Sequence, residues 1–288
     1  MGIVFRLFIA PLSRLPLSVL FRISDVLYVV LYYIIGYRKK VVRTNIANSF
    51  PTRPLKERLQ IERDFYQHFC DLIFESIRLF QMPQKELLAR CTLTNPSLIE
   101  HYAAQGRNLI FVAGHYGNWE IAVTGCNPQI PHQLIAIYKP LSSRLVNQKL
   151  LQSRSRFGMA LVPKKKFKEE VDGYQTKLHA LVFANDQAPS SSQKVYWTEF
   201  LHQQTAVQMG TEVYAKRYNY VVLMGKIKKV KRGYHEITFE VVSEYPNDTP
   251  DETITEQHTR ILEQQILDYP AHWLWTHRRW KMTKPSNA

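Results

Sequence analysis

The residues best suited to proton transfer lie in Asn108-Leu-Ile-Phe-Val-Ala-Gly-His-Tyr-Gly-Asn-Trp-Glu120. An apolar run ends at Gly114, a polar turn follows, and a helix-forming segment begins near Asn118. That order predicts a strand whose carboxyl end opens onto a site, because α/β proteins place reactive groups at this rim of a parallel sheet. His115 and Glu120 are five residues apart, and on one continuous helix they would point about 140° away from each other. They meet only if His115 lies in the turn and folds back over the first helical turn, with Gly114 and Gly117 supplying the backbone freedom. Asn118 is the expected N-cap, and Glu120 then sits where the helix dipole favours negative charge.

An imidazole steadied by a carboxylate is a general base of fixed tautomer. No Ser, Thr or Cys close to this strand sits in the sharp strand-to-helix turn that exposes a nucleophile. The group to be activated is therefore a substrate hydroxyl or amine. Backbone N–H groups around Gly117 to Trp119 would face the oxyanion. The reaction class this predicts is direct acyl transfer. A structural His in a turn beside a carboxylate fits the same spacing.

The elements that must position these groups alternate. Short β-rich runs are expected at Leu109–Ala113, Leu134–Tyr138, Ala180–Ala184, Tyr220–Met224 and Glu236–Val242. Between and after them, Ser143–Phe157, Phe167–Lys177, Thr211–Arg217 and Glu252–Asp268 can form helices. The expected fold is α/β: a mixed, partly parallel sheet flanked by helices, with an N-terminal membrane-associated helical segment. Ahead of the sheet, apolar residues at spacings of three and four predict one long amphipathic helix over Leu55–Phe80, stopped before Pro83. Its aromatics either line an acyl-chain groove or pack the core. Asp186 follows the strand Ala180–Ala184, so it too reaches the rim of the sheet; a capping Asp in a turn is the alternative.

Residues 1–36 are apolar, and their only charges are Arg6, Arg14, Arg22 and Asp25. The longest uncharged run, Val26–Gly36, is far shorter than the roughly 20 residues of a spanning helix, and no small-x-small cleavage site follows it. Arg38, Lys39, Lys40 and Arg43 come next. An apolar segment with a basic flank suits a helix lying in an anionic interface, and the flank places the globular part on the cytoplasmic side. The chain divides into an anchoring segment with its flank, 1–47, and a catalytic-sized domain, 48–288.

In 288 residues, Lys and Arg outnumber Asp and Glu by 38 to 24, a net charge of +14, so an anionic partner is expected. No nucleic-acid-binding motif is visible, and a membrane surface or an acidic carrier fits better. Two basic runs, Lys164–Lys168 and Lys226–Arg232, could face such a partner or only water. The three cysteines form no CxxC pair, which argues against a disulfide framework or a zinc ribbon. His272 and His277 have no carboxylate or thiolate at metal-ligand spacing, so Trp273, Trp275, His277 and Trp280 read as packing and an interfacial belt. No metal or bound cofactor is expected.

Gly114-His-Tyr-Gly-Asn-Trp-Glu120 resembles the His-x4-Asp/Glu motif of glycerolipid acyltransferases, in the form found in the lipid A late acyltransferases (lauroyl and myristoyl transferases). Further similarities follow in the family's order: Arg38–Pro51, Tyr138-Lys-Pro140, Arg154-Ser-Arg-Phe-Gly158, Asn185-Asp-Gln187 and Trp273–Lys281. The resemblance implies transfer of a fatty acyl chain from an acyl carrier protein or coenzyme A thioester to a hydroxyl of a lipid A-type glycolipid. The enzyme would work at the cytoplasmic face of the bacterial inner membrane. It makes His115 the general base and Glu120 its partner. Gly117, Asn118, Arg154, Arg156 and Asp186 become the substrate-binding candidates. Two departures fall where substrate contacts are expected: Lys139, where many members carry Arg, and Glu199-Phe-Leu-His202, where members tend to have Phe-Phe-Gly. They leave an aminolipid or phospholipid acceptor open. A basic membrane scaffold without catalysis is the alternative from another class.

Overall fold

Apolar residues on successive positions, as in Leu109–Ala113, make strands that must be covered on both faces, the condition met in the middle of a parallel sheet. A computed structural model of the chain has this arrangement; it describes residues 5–284 apart from 139, 141–142, 175–176 and 190–193. Seven strands form the main sheet: β1 (Cys91–Leu93), β2 (Leu109–Ala113), β3 (Gln133–Tyr138), β4 (Ala160–Pro163), β5 (His179–Ala184), β8 (Val221–Lys231) and β9 (Tyr234–Ser243). Their order is β1-β9-β8-β2-β5-β3-β4, and every neighbouring pair is parallel except β8–β9. The mixed, mostly parallel α/β sheet expected from the alternation of runs is present.

The helices, in chain order, are α1 (Leu17–Val29), α2 (Lys39–Ser49), α3 (Leu55–Leu79), α4 (Gln84–Arg90), α5 (Pro96–Ala104), α6 (Trp119–Cys126), α7 (Arg144–Ser155), α8 (Phe167–Glu170), α9 (Gly210–Tyr218) and α10 (Thr253–Asp268). The crossovers carrying α6 and α7 step one way along the strand order and those carrying α8 and α9 step back, so right-handed connections put the two pairs on opposite faces of the sheet. Helix α8 is shorter than its periodicity suggested and runs on as a 3₁₀ turn, Val171–Tyr174, that contains Gly173. Strand β8 is longer, because it continues beyond the sheet centre as a hairpin with β9.

A separate hairpin, β6 (Val195–Phe200) with β7 (Gln203–Gln208), was missed in the sequence, although β6 is rich in β-branched and aromatic residues; β7 is largely polar. Its two-residue turn, Leu201-His202, has φ of 51° and 61°, positions usually given to Gly or Asn. This turn is the Glu199–His202 departure: Phe200 and Leu201 are buried, with the Phe200 ring 5.9 Å from that of Trp273, so the stretch packs rather than lining the cavity. Lys139, the other departure, lies outside the described residues.

Helix α3 buries Phe65 and Leu72 as expected, but it also buries Tyr66 and the carboxylates Glu62, Asp71 and Glu75. A buried carboxylate must find charged or hydrogen-bonding partners, and each of these grips a different element. Glu62 takes both arms of Arg43 from α2 at 2.9 Å. Asp71 accepts from Ser24 of α1 at 2.8 Å, from Lys229 at 3.3 Å, and from Arg232 at 2.6–3.0 Å. Glu75 accepts from Asn118 at 2.6 Å and lies 3.0 Å from His235. Two of the five basic residues of the second run, Lys229 and Arg232, are thus turned inward. Arg232 also bonds Asp25 at 2.6 Å and covers the Phe21 ring at 4.5 Å, so the hairpin tip clamps α1 against α3.

Helix α1 continues as π-helical turns over Val30–Ile35, giving one helix, Leu17–Ile35, long and apolar enough by length and composition to cross a membrane. The uncharged run 26–36 understated it, because Asp25 is neutralised by Arg232 and does not end the helix. Leu17, Leu20, Ser24 and Tyr32 face α3, whereas Val26, Val29, Tyr33, Ile34 and Ile35 are exposed.

Removing one member of a buried ionic cluster leaves the others unmatched. Asp71→Ala should lower unfolding free energy by about 3 kcal/mol in urea titration. It should also expose the α1 segment to trypsin at Arg22, while Asp25→Ala, at the exposed end of the cluster, should cost under about 1 kcal/mol.

Candidate active site

Strands β2 and β5 are adjacent and in register, Ala113 opposite Ala184. Two residues beyond each end stand His115 and Asp186, and the register brings them together. Asp186 accepts the His115 backbone N–H at 2.8 Å and lies 2.6 Å from His115 Nδ1. Trp273 Nε1 donates to the same carboxylate at 2.9 Å. The turn itself is clasped by the C-terminal segment: Leu274 N–H donates to the His115 carbonyl at 3.2 Å, and Gly117 N–H to the His272 carbonyl at 2.9 Å. Gly117 has φ of +58°, and a Cβ there would sit 2.8 Å from Ile227 Cγ2. Only glycine fits both demands.

Electrostatics fix the tautomer. Burial alone would raise the Asp186 carboxyl, but the charge and hydrogen bonds of His115, with the Trp273 N–H, hold it at about 2. An ionised carboxylate only accepts, so His115 Nδ1 carries the proton and Nε2 is left as the basic lone pair. Burial pulls the imidazole towards its neutral form; the neighbouring Asp186 charge and hydrogen bond, helped by Glu120, outweigh this and raise it above its ordinary value. Gln187 Nε2 lies 3.2 Å from His115 Nε2, and the Trp119 ring packs edge-on at 5.0 Å.

The carboxylate that holds His115 is therefore Asp186. Glu120 instead accepts both arms of the Arg154 guanidinium, Nε at 2.9 Å and Nη2 at the other oxygen. It sits in the first turn of α6, where Asn118 is the N-cap as expected, accepting the Ile121 N–H at 3.0 Å. Glu120 acts on the imidazole only through its charge.

Arg154 and Arg156 part company. Arg154 lines the cavity, whereas Arg156 Nη1 donates to the Leu79 and Phe80 carbonyls at 3.2 and 3.0 Å, away from it. Gly117 and Asn118 do not line the cavity either. The Gly117 N–H is spent on the His272 carbonyl, and Asn118 is fully buried with its side chain against Glu75, so neither residue presents a donor to the cavity. The sequence reading missed Trp273 as a donor and Gln187 as the amide beside Nε2. Gln187 stands in the Asn185-Asp-Gln187 triplet, the signal that could have found it.

His115 opens into a cavity of about 620 Å³. One part runs between β2, β3 and α6, walled by Phe111, Ala122, Val123, Leu134, Ala136 and Val182. No residue of α3 lines it, so the aromatics of that helix serve the core.

The chain matches the bacterial lipid A biosynthesis acyltransferases over residues 3–282. It is 22% identical to the lipid A biosynthesis lauroyltransferase of Escherichia coli over 277 residues, covering 96% of this chain and 89% of that protein. It is likewise 22% identical to the Escherichia coli lipid A biosynthesis palmitoleoyltransferase over 253 residues, 86% of this chain and 80% of that one. A lipid A biosynthesis acyltransferase of Shigella flexneri matches to the same extent. With a buried Asp–His pair at the carboxyl rim of its sheet and a match over nearly its whole length, this chain belongs to the bacterial lipid A biosynthesis acyltransferase family.

Proposed function

We propose that this acyltransferase moves a fatty acyl chain from a thioester donor to a hydroxyl of a lipid A-type glycolipid at a membrane surface. The observation that carries the reading is His115, oriented by Asp186 and lining a largely apolar cavity. Nε2 takes the proton of the acceptor hydroxyl as its oxygen attacks the thioester carbonyl carbon. The carbon–sulfur bond then breaks, and the departing thiolate recovers the proton from Nε2. An ester and a free thiol result. The Gln187 amide, lining the cavity beside Nε2, is the donor best placed for the developing oxyanion. The Glu120–Arg154 pair sets the charge of the wall opposite.

The apolar part between β2, β3 and α6 suits the acyl chain. Exposed Val26, Val29, Tyr33, Ile34 and Ile35 on the outer side of the N-terminal helix, followed by exposed Arg38 and Lys40, suit insertion into an anionic leaflet. Because its inner side is docked on α3, that helix is read as lying along the membrane surface, with the catalytic domain on the cytoplasmic side of the inner membrane. An acyl carrier protein is the proposed donor, with coenzyme A as the other thioester carrier.

Three outcomes test this. Lipid mass spectrometry on cells with the gene intact, deleted or carrying His115→Ala should show one acyl chain missing from the same lipid in the last two. Loss from an aminolipid or phospholipid would transfer the reading to that acceptor, and unchanged lipids would favour a non-catalytic scaffold. In vitro, His115→Ala should lower turnover about 10²–10⁴-fold.

The acid limb of kcat/KM should titrate above pH 6.5, since the imidazole must be neutral to act and its partner raises it. Asp186→Asn removes the charge that stabilises imidazolium while burial still disfavours it, so the limb should move to lower pH as turnover falls. Ala136→Phe, which fills the apolar part, should reduce turnover with long-chain thioesters while sparing shorter ones.

A further inference from the structure

Two exposed lysines that line the cavity have no part in the chemistry above. Lys164 follows β4, Lys168 lies in α8, and both line the cavity. Their backbone is fixed. Lys164 N–H donates to the Tyr138 carbonyl at 2.9 Å, and Lys166 N–H closes a turn onto the Pro163 carbonyl at 2.9 Å. Buried Phe167 anchors the helix against Phe183 and Tyr214, with ring centroids at 5.7 and 5.0 Å. The other charges of the cavity are matched within it, Arg154 by Glu120 and His115 by Asp186. No ion pair joins Lys164 or Lys168 to a carboxylate among the described residues.

Two unmatched positive charges on fixed backbone at the wall of one cavity favour an anion. We propose that Lys164 and Lys168 form a phosphate-binding subsite that holds a phosphate group carried by one of the two substrates. The assignment rests on the acyl-transfer reading and deepens it. His115 leaves the sheet from β2 and Lys164 from β4, and the order β2-β5-β3-β4 puts three inter-strand steps between them. At roughly 4.8 Å each, the lateral separation is about 14 Å. A phosphate at that remove orients its substrate without touching the transferred group. A thioester on a phosphopantetheine arm and a phosphorylated glycolipid both carry phosphate well away from the reacting atoms.

The test compares the double variant Lys164→Met/Lys168→Met with Lys165→Met/Lys166→Met, an equal loss of charge at neighbouring lysines that do not line the cavity. Substrates are used in pairs: acyl-coenzyme A against acyl-N-acetylcysteamine, which lacks phosphate, and a lipid A precursor against its dephosphorylated form. KM for a phosphate-bearing substrate should rise about tenfold or more in the first variant. Its kcat should stay within about twofold, and the phosphate-free counterpart should show no penalty. A penalty confined to the donor pair assigns the subsite to the donor phosphate; one confined to the acceptor pair assigns it to the acceptor. Unchanged KM values, an equal loss with phosphate-free substrates, or the same loss in the second variant would overturn the proposal. Calorimetric binding of pyrophosphate separates this from the acyl-transfer reading. Binding that depends on Lys164 and Lys168 in a protein that transfers no acyl group keeps the subsite and sinks that reading. Acyl transfer with binding unaffected by the variant does the reverse.

Discussion

The site depends on one buried carboxylate. Asp186, with a side chain 2% exposed, is tolerable as an ion only because three donors converge on it: the backbone N–H of His115, its Nδ1, and the indole N–H of Trp273. Two of these donors belong to His115 beyond β2, the third to the C-terminal segment, and Asp186 itself follows β5, so satisfying this one charge ties the three together. The same three bonds determine which nitrogen of His115 carries its proton and which faces the substrate. Burial, tautomer and basicity follow from one contact.

The turn that carries His115 is supported from below by a second set of buried charges. Helix α3 spaces Glu62, Asp71 and Glu75 along its inner side, and they reach α2, the α1–hairpin clamp and Asn118 respectively. Glu75 matters most for the chemistry, because Asn118 caps the helix whose first turn presents Glu120. Its carboxylate remains ionised despite burial, since His235, Asn118 and Lys229 together outweigh the loss of water. An amphipathic helix usually spends its inner face on apolar contact. Here that face also places the exposed apolar N-terminal helix and the turn that carries His115 relative to each other.

Charge matching inside the cavity separates groups that hold structure from groups left for ligands. Glu120 and Arg154 satisfy one another, as do Asp186 and His115, whereas the two lysines that follow β4 make no ion pair with a carboxylate among the described residues. The cavity thus has an apolar part, walled by β2, β3 and α6, and a cationic part, at the lysines that follow β4.

Much of this was legible in the residues alone. The apolar strands, the turn at Gly114–Gly117, the Asn118 cap and the long helix α3 are set by local periodicity and backbone chemistry, which act over a few residues. His115 and Asp186 could each be placed at the rim of the sheet, because each follows an apolar run. Spacing along the chain, however, paired His115 with Glu120, five residues on. Strand order and register paired it with Asp186, 71 residues on, because β5 and not β3 lies next to β2. The choice of Arg154 over Arg156, the inward turn of Lys229 and Arg232, and the glycine-free hairpin at Leu201-His202 were decided in the same way. Each depends on which distant group meets a buried charge or a packed side chain, and no short stretch of sequence records that distance.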